Sequence, residues 1–258
     1  MMRLRKRVLI LVGTGEGRKL ARQASQRPDI EAIASLAGRT RQPDIPIETT
    51  RIGGFGGVEG LREYLRAQQI EALVDATHPF AAQISQNAAQ AAEEAGIPHL
   101  RLTRPPWSPQ PGDRWLEVSS YAEAAERVRE VARRVFLTIG RQELARFAQV
   151  RQVWFLMRMI DPPAADCPRP PGEILLARGP FSLDAERTLL QDYQIGAILS
   201  KNSGGDGTYA KIVAARELQL PIIMVQRPAM PTGDCVSDIA DVFDWLHGYL
   251  NVARRLPP

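Results

Sequence analysis

Short apolar runs alternate with longer amphipathic stretches from one end of the chain to the other, the pattern of an α/β protein built on parallel sheets. In the first half the runs predict strands at Val8–Val12, Ala32–Leu36, Glu48–Ile52, Ala72–Asp75 and His99–Leu102. Apolar positions at helical spacing predict helices at Arg18–Gln26, Val58–Gln68 and Ala81–Ala95. Gly96 stands where a helix-ending glycine is expected, and Pro98 opposes continuation. The stretch from Arg104 to Asp113 holds four prolines in ten residues and reads as a stiff, extended connector.

The second half repeats the logic. A helix is predicted at Tyr121–Arg133, then strands at Val135–Ile139, Val153–Met157 and Ile174–Ala177. A proline-rich loop from Asp161 to Glu173 separates the last two. Helices at Leu183–Tyr193, Tyr209–Leu218 and Ile239–Val252, with strands at Ala197–Ser200 and Ile222–Val225, complete the pattern. No period of about 20–50 residues repeats. The expected architecture is two similar α/β domains, 1–110 and 111–258, with a cleft between them.

Composition changes this picture little. The chain has 258 residues, 44% hydrophobic and 24% charged, which suits two modest globular domains. Its cysteines, Cys167 and Cys235, match no zinc or redox spacing, so neither a metal site nor a disulfide is expected. A reducing, cytoplasmic setting fits. The basic start, Met1 to Arg7, leads into only five apolar residues, too few for a secretory core of about 7–15. No run approaches the ~20 residues of a membrane span, so no membrane partner is expected.

The net charge is +4. Of 33 basic residues only Lys6, Lys19, Lys201 and Lys211 are lysines, which leaves 29 arginines. A compositional bias explains such a ratio, and guanidinium forks also suit carboxylate and phosphate ligands. The arginines are dispersed and aromatics make up only 6%, whereas a nucleic-acid groove needs a basic stripe with stacking rings. No nucleic-acid partner is expected.

Candidate chemistry gathers where predicted strands end. Gly13-Thr-Gly-Glu-Gly-Arg18 follows a strand and opens a helix, where glycines admit a phosphate to the helix amides. Gly13, Thr14, Gly15, Glu16 and Gly17 are the candidate contacts, although Arg18 departs from the Gly-x-Gly-x-x-Gly spacing. After the second strand, Ser35-Leu-Ala-Gly-Arg-Thr-Arg41 offers no carboxylate for the ribose hydroxyls of NAD. Ser35, Arg39 and Thr40 suit a 2′-phosphate instead, which favours NADPH as cofactor. The missing acid also speaks against an S-adenosylmethionine methyltransferase.

Gly53-Gly-Phe-Gly-Gly57 is either a mobile turn or a loop that brings amides, Gly54 among them, to a ligand. Asp75-Ala-Thr-His-Pro-Phe-Ala81 lies at the end of the fourth strand and contributes Thr77 and His78. Of the three histidines, His78 is best placed for catalysis, since His99 and His247 fall within a strand and a helix. Thr138-Ile-Gly-Arg141 and Ser200-Lys-Asn-Ser-Gly-Gly-Asp-Gly-Thr-Tyr209 follow strands of the second half. The latter lacks the Gly-Lys-Ser/Thr ending of a nucleotide-hydrolysing loop. Lys201 either grips a substrate there or sits in an anion-binding turn without catalytic duty.

These motifs resemble, in order and spacing, those of the precorrin-6A reductases. So do Arg104-Pro-Pro-Trp107 and Arg178-Gly-Pro-Phe181, and the resemblance runs from residue 8 to about residue 228. It implies two Rossmann-like domains, with cofactor and a flat tetrapyrrole substrate in the intervening cleft and a strand exchanged between domains. It also implies reduction of precorrin-6A to precorrin-6B in cobalamin biosynthesis, the hydride coming from the nicotinamide. On that footing His78 and Lys201 are the catalytic candidates. Arg104, Arg141 and Arg178 become carboxylate partners of the substrate, with Lys201, Asn202, Ser203, Gly204 and Gly205 beside them. Two other readings stand: a non-catalytic NADP-sensing module, and a cobalt-precorrin-6A reductase using NADH.

Overall fold

The computed structural model describes residues 5–37 and 49–252. Arg39, Thr40 and the first residue of the strand expected from Glu48 lie outside the described residues. The chain divides into two compact units, one of residues up to Pro105 together with those from Ala229 onward, the other Pro106–Pro228.

The first unit runs β1 (Lys6–Val12), α1 (Gly15–Ser25), β2 (Ile30–Leu36), β3 (Thr50–Ile52), α2 (Gly57–Ala67), β4 (Ala72–Ala76), α3 (Ala82–Ala95) and β5 (His99–Leu102). Its strands are apolar on both sides because both faces of the parallel sheet are covered. Val8, Ile10 and Val12 pack with Leu20, Ala21 and Ala24 of α1, while Leu9 and Leu11 pack with Leu61 and Leu65 of α2 and Ala88 of α3. Fully burying one such leucine contributes about 1.5–3 kcal/mol. Thr14 starts α1 by accepting a hydrogen bond from the Gly17 amide at 3.0 Å, and Gly96 closes α3 in the left-handed conformation.

The second unit runs β6 (Arg114–Val118), α4 (Tyr121–Val131), β7 (Arg134–Thr138), a 3-10 segment at Arg141–Phe147, β8 (Trp154–Met159), β9 (Gly172–Leu176), α5 (Leu183–Asp192), β10 (Ala197–Lys201), α6 (Ala210–Glu217) and β11 (Pro221–Val225). Phe136, Leu156, Ile198 and Met224 form the core of one face with Leu190 and Ile212. The chain then returns to the first unit as β12 (Cys235–Val236) and α7 (Ile239–Val252).

Among the described residues each sheet has six strands, in the orders β12-β5-β4-β1-β2-β3 and β6-β11-β10-β7-β8-β9, and every pairing is parallel. The sixth position beside β5 is filled by β12, which follows β11 in the chain. The sixth position beside β11 is filled by β6, which follows β5. This pair of crossings is the strand exchange that the family resemblance implies.

The second unit therefore ends at Pro228, not at residue 258 as the sequence suggests. The reason is packing: Val242 and Leu246 of α7 are buried in the same cluster as β1 and α1. β6 and β12 are not foreseen either. Only Val118 of β6 is buried, as befits an edge strand, and β12 is two residues long.

Candidate functional site

In the first sheet the chain passes from β1 to β2 and β3 on one side, then to β4 and β5 on the other. A ligand crevice of an open α/β sheet lies where strand order reverses, outside the carboxyl ends of the strands. Here that point is β1 beside β4, with Val12 in register with Ala76. Gly13 donates its amide to the Ala76 carbonyl at 3.1 Å. A Cβ on Gly13 would stand 2.9 Å from both the His78 nitrogen and the Thr77 Cα, and one on Gly17 would stand 2.9 Å from the Ala76 oxygen. Gly13 thus lets two backbones pass in contact, and Gly17 lets α1 press against β4. Gly17 fills the helix-packing role of the third fingerprint glycine one position earlier than the usual spacing.

The other candidates lie around this turn. The Thr14 hydroxyl donates to the Ala76 carbonyl at 3.2 Å while capping α1, so Thr14 chiefly holds the turn's shape. Gly15 begins α1, and the space beside it is open except for the Arg18 guanidinium. Glu16, in the first turn of α1, pairs with Arg104, whose Nη1 lies 3.0 Å from Oε2 and 3.3 Å from Oε1. The Asp75 carboxylate accepts from the Thr77 amide at 3.0 Å, and the Thr77 hydroxyl meets that of Ser85 at 3.2 Å. His78 Nδ1 accepts from the Phe80 amide at 3.2 Å, which leaves the proton of a neutral ring on Nε2.

A cavity of about 260 Å³ opens beside this turn, lined among others by Ser35, Gly54, Phe55, Thr77 and Asn87. Three of the sequence-derived candidates therefore face one space. Its glycine wall is held by Arg51, in register with Ser35. The Arg51 guanidinium donates to the Gly53 and Gly54 carbonyls at 2.5 and 2.6 Å and stacks 3.8 Å from the Phe55 ring centre. Gly53, Gly56 and Gly57 have φ of 122°, 83° and 92°, so this loop requires glycine.

In the second sheet the order reverses between β7 and β10, and the second-half motifs follow those two strands. Thr138 ends β7 and donates to the Leu199 carbonyl at 3.1 Å. Arg141 donates to the Pro162 carbonyl at 3.2 Å, tying the proline-rich loop to the strand end. Lys201 ends β10 with its ammonium 5.8 Å from the centre of the Tyr121 ring. Burial pushes the Tyr121 hydroxyl well above its ordinary value, keeping it protonated. Gly204 and Gly205 turn the chain with φ of 68° and 70°. Arg178 is exposed on the segment after β9.

Asn202 is buried, accepting from the Trp107 amide at 2.8 Å and donating to the Trp107 carbonyl at 3.0 Å. The Trp107 indole donates to the Gly205 carbonyl at 2.9 Å, and Arg227 donates to the carbonyls of Asn202 and Ser203 at 2.9 and 3.1 Å. Buried Lys211 donates to the Thr208 carbonyl at 2.9 Å and stands 5.0 Å over the Trp107 ring. The Ser200–Gly205 turn is thus clamped by Trp107, Arg227 and Lys211. Arg51, Tyr121 and Arg227 carry no sequence signal that marks them. Trp107 was visible only as part of a motif.

Two doubly wound parallel sheets, each with its motifs at the reversal of strand order, define a Rossmann-like α/β protein. Residues 7–247 match the family described as Precorrin-6x reductase CbiJ/CobK, and the chain belongs to that family. It is 49% identical over 241 residues to the precorrin-6A reductase of Rhodococcus erythropolis, covering 93% of this chain and 97% of that one. It is 30% identical over 263 residues to the cobalt-precorrin-6A reductase of Priestia megaterium, covering 96% and 99%. A solved structure of CobK precorrin-6A reductase superposes with a TM-score of 0.89 at 42% identity, covering 95% of this chain and 97% of that one. Among the described residues no helix is long and apolar enough to cross a membrane.

Proposed function

We propose that this protein reduces precorrin-6A to precorrin-6B in cobalamin biosynthesis, with NADPH as the reductant. The observation that carries the reading is the glycine cradle at the β1/β4 reversal, in a chain that belongs to a family of reductases. The residues fit a dinucleotide, because the close approaches at Gly13 and Gly17 leave no room for side chains, and the adjoining cavity joins an apolar wall, with Phe55, Leu61 and Ile84, to the glycine loop and the polar groups of Ser35, Thr77 and Asn87. When bound, NADPH supplies a hydride to one carbon of a macrocycle double bond.

The turn from Gly13 to Gly17 and the amides of α1 hold the diphosphate. Ser35, Arg39 and Thr40 hold the 2′-phosphate, while Gly54 and Thr77 border the nucleoside. His78 orients the nicotinamide or, in its imidazolium form, delivers a proton to the second carbon and returns to the neutral ring. Arg141, Arg178 and Lys201 neutralise substrate carboxylates. Asn202 contributes indirectly, by fixing the backbone of Ser203, Gly204 and Gly205. A metal-free substrate is favoured because identity is 49% to the Rhodococcus precorrin-6A reductase and 30% to the Priestia cobalt-precorrin-6A reductase.

The test is loss of reduced-nicotinamide absorbance with precorrin-6A and either NADPH or NADH. Turnover with NADPH ahead of NADH is expected. Binding of NADPH without oxidation points to a sensing module, and faster turnover of the cobalt-loaded substrate points to the cobalt branch.

A further inference from the structure

We infer that Arg104 serves the cofactor end of the site, cancelling the charge of Glu16 so that a nucleotide diphosphate can lie against the N-terminus of α1. This rests on the nucleotide reading above and departs from it on one residue, since the sequence groups Arg104 with substrate carboxylate partners.

The first turn of α1 carries a carboxylate where an anion is to be received. A helix N-terminus favours negative charge through its unpaired amides and the positive end of its dipole. Glu16 is the second residue of that helix, so its own charge occupies the same favourable field. A diphosphate arriving there meets a like charge a few ångströms away unless something neutralises it. The close packing at Gly13 and Gly17, where an added Cβ would stand 2.9 Å from the backbone of β4 or of the residues just after it, fixes the approach to this turn.

Arg104 supplies the neutralising charge. Its Nη1 spans both oxygens of Glu16, at 3.0 and 3.3 Å. The Arg104 side chain is 18% exposed against 37% for that of Glu16, so Arg104 is the better-seated partner. Its position follows the carboxyl end of β5, on the same rim of the sheet as Gly13 and His78. Partly exposed ion pairs contribute little to folding stability. The consequence of this one is local: it sets the charge met by an incoming anion.

The test measures nucleotide dissociation constants by fluorescence titration, without turnover. Arg104→Gln should weaken NADPH and NADH alike by about tenfold, because both carry the same diphosphate. Arg104→Lys keeps the charge and should lose about threefold or less. The double variant Glu16→Gln/Arg104→Gln removes both charges and should return to within about threefold of the unaltered protein. It also serves as the decisive variant if Arg104→Gln alone folds poorly. A double variant as weak as Arg104→Gln would show direct contact with the nucleotide and overturn neutralisation. Unchanged dissociation constants in Arg104→Gln, with a raised KM for the tetrapyrrole, would return Arg104 to the substrate. If the unaltered protein bound neither nucleotide, the cofactor reading itself would fall and this inference with it.

Discussion

At the reversal of strand order in the first sheet, Gly13 and Gly17 bring backbone to within distances that no Cβ permits. At the corresponding reversal in the second sheet, Asn202, Trp107, Arg227 and Lys211 grip one turn through seven hydrogen-bonding and ring contacts. Both strand ends expose main chain at a reversal of strand order, but the first does so by lacking side chains and the second by having them. The first arrangement leaves little that can relax when an atom is added. The second leaves buried polar groups unpaired when an atom is removed.

The largest effect expected from this contrast is at Gly13. An added methyl in Gly13→Ala meets backbone atoms of Thr77 and His78, which cannot swing aside as a side chain would. Overpacking of this kind costs about 1–3 kcal/mol of stability. Nucleotide affinity should fall by about 100-fold or more, since a shift of 1 Å at a positioned group is felt strongly. Gly54→Ala, where nothing lies within 4 Å, should lose about threefold or less. Calorimetric melting and nucleotide titration of the two variants check this; equal behaviour would mean that close backbone approach does not shape the first site.

Next in size is the reading of the cofactor's phosphate. An Arg–phosphate hydrogen bond contributes about 1.5–3 kcal/mol, so Arg39→Ala should weaken NADPH by roughly 10- to 150-fold. NADH lacks that phosphate and should be barely affected. Equal losses for both, or a natural preference for NADH, would remove Arg39 from phosphate recognition.

The same contrast explains what was legible in the sequence. The glycine motif, its strand and its helix are contiguous, so Gly13 to Gly17 can be read locally. The one-residue departure at Arg18 is explained only by Gly17 against Ala76, which requires the position of β4. Asn202 and Trp107 are 95 residues apart, and Arg227 lies 25 residues from Asn202, so no local pattern joins them. α7 is legible as a helix from its periodicity. Its place against β5 and β12 is not, because it depends on which strand fills the open edge beside β5. β6 itself is an exposed edge strand whose residues alternate poorly.

Asn202→Ala tests the clamp. The amide and carbonyl of Trp107 would lose their partners, at a cost of about 2 kcal/mol in stability. Substrate KM should rise several-fold while nucleotide dissociation constants stay within about twofold. Lys201→Ala should reproduce the effect on substrate without the loss of stability. A nucleotide defect in either variant, with substrate handling intact, would reverse the proposed division of labour between the strand ends.

The smallest effect concerns the charges buried by each sheet. The second sheet matches a buried charge with its opposite: Arg158 Nη2 lies 2.7 Å from Glu186 Oε1, with the side chains 6% and 0% exposed. The first holds a half-buried imidazole, His99, whose buried Nε2 has no hydrogen-bond partner among the described residues. Burial pushes the His99 pKa below its ordinary value near 6.5; Arg101 acts in the same direction, while Asp75 and Asp234 oppose it. The unfolded chain therefore takes up this proton at higher pH than the folded one does. Stability from this residue is complete above about pH 6.5 and declines as pH falls toward the lower, folded pKa. His99→Gln, which does not titrate there, should flatten the fall in Tm between about pH 7 and about pH 5 by a few degrees at most. Parallel curves for the variant and the unaltered protein would place the acid-sensitive group elsewhere, and an unmatched imidazole would no longer distinguish the first sheet from the second.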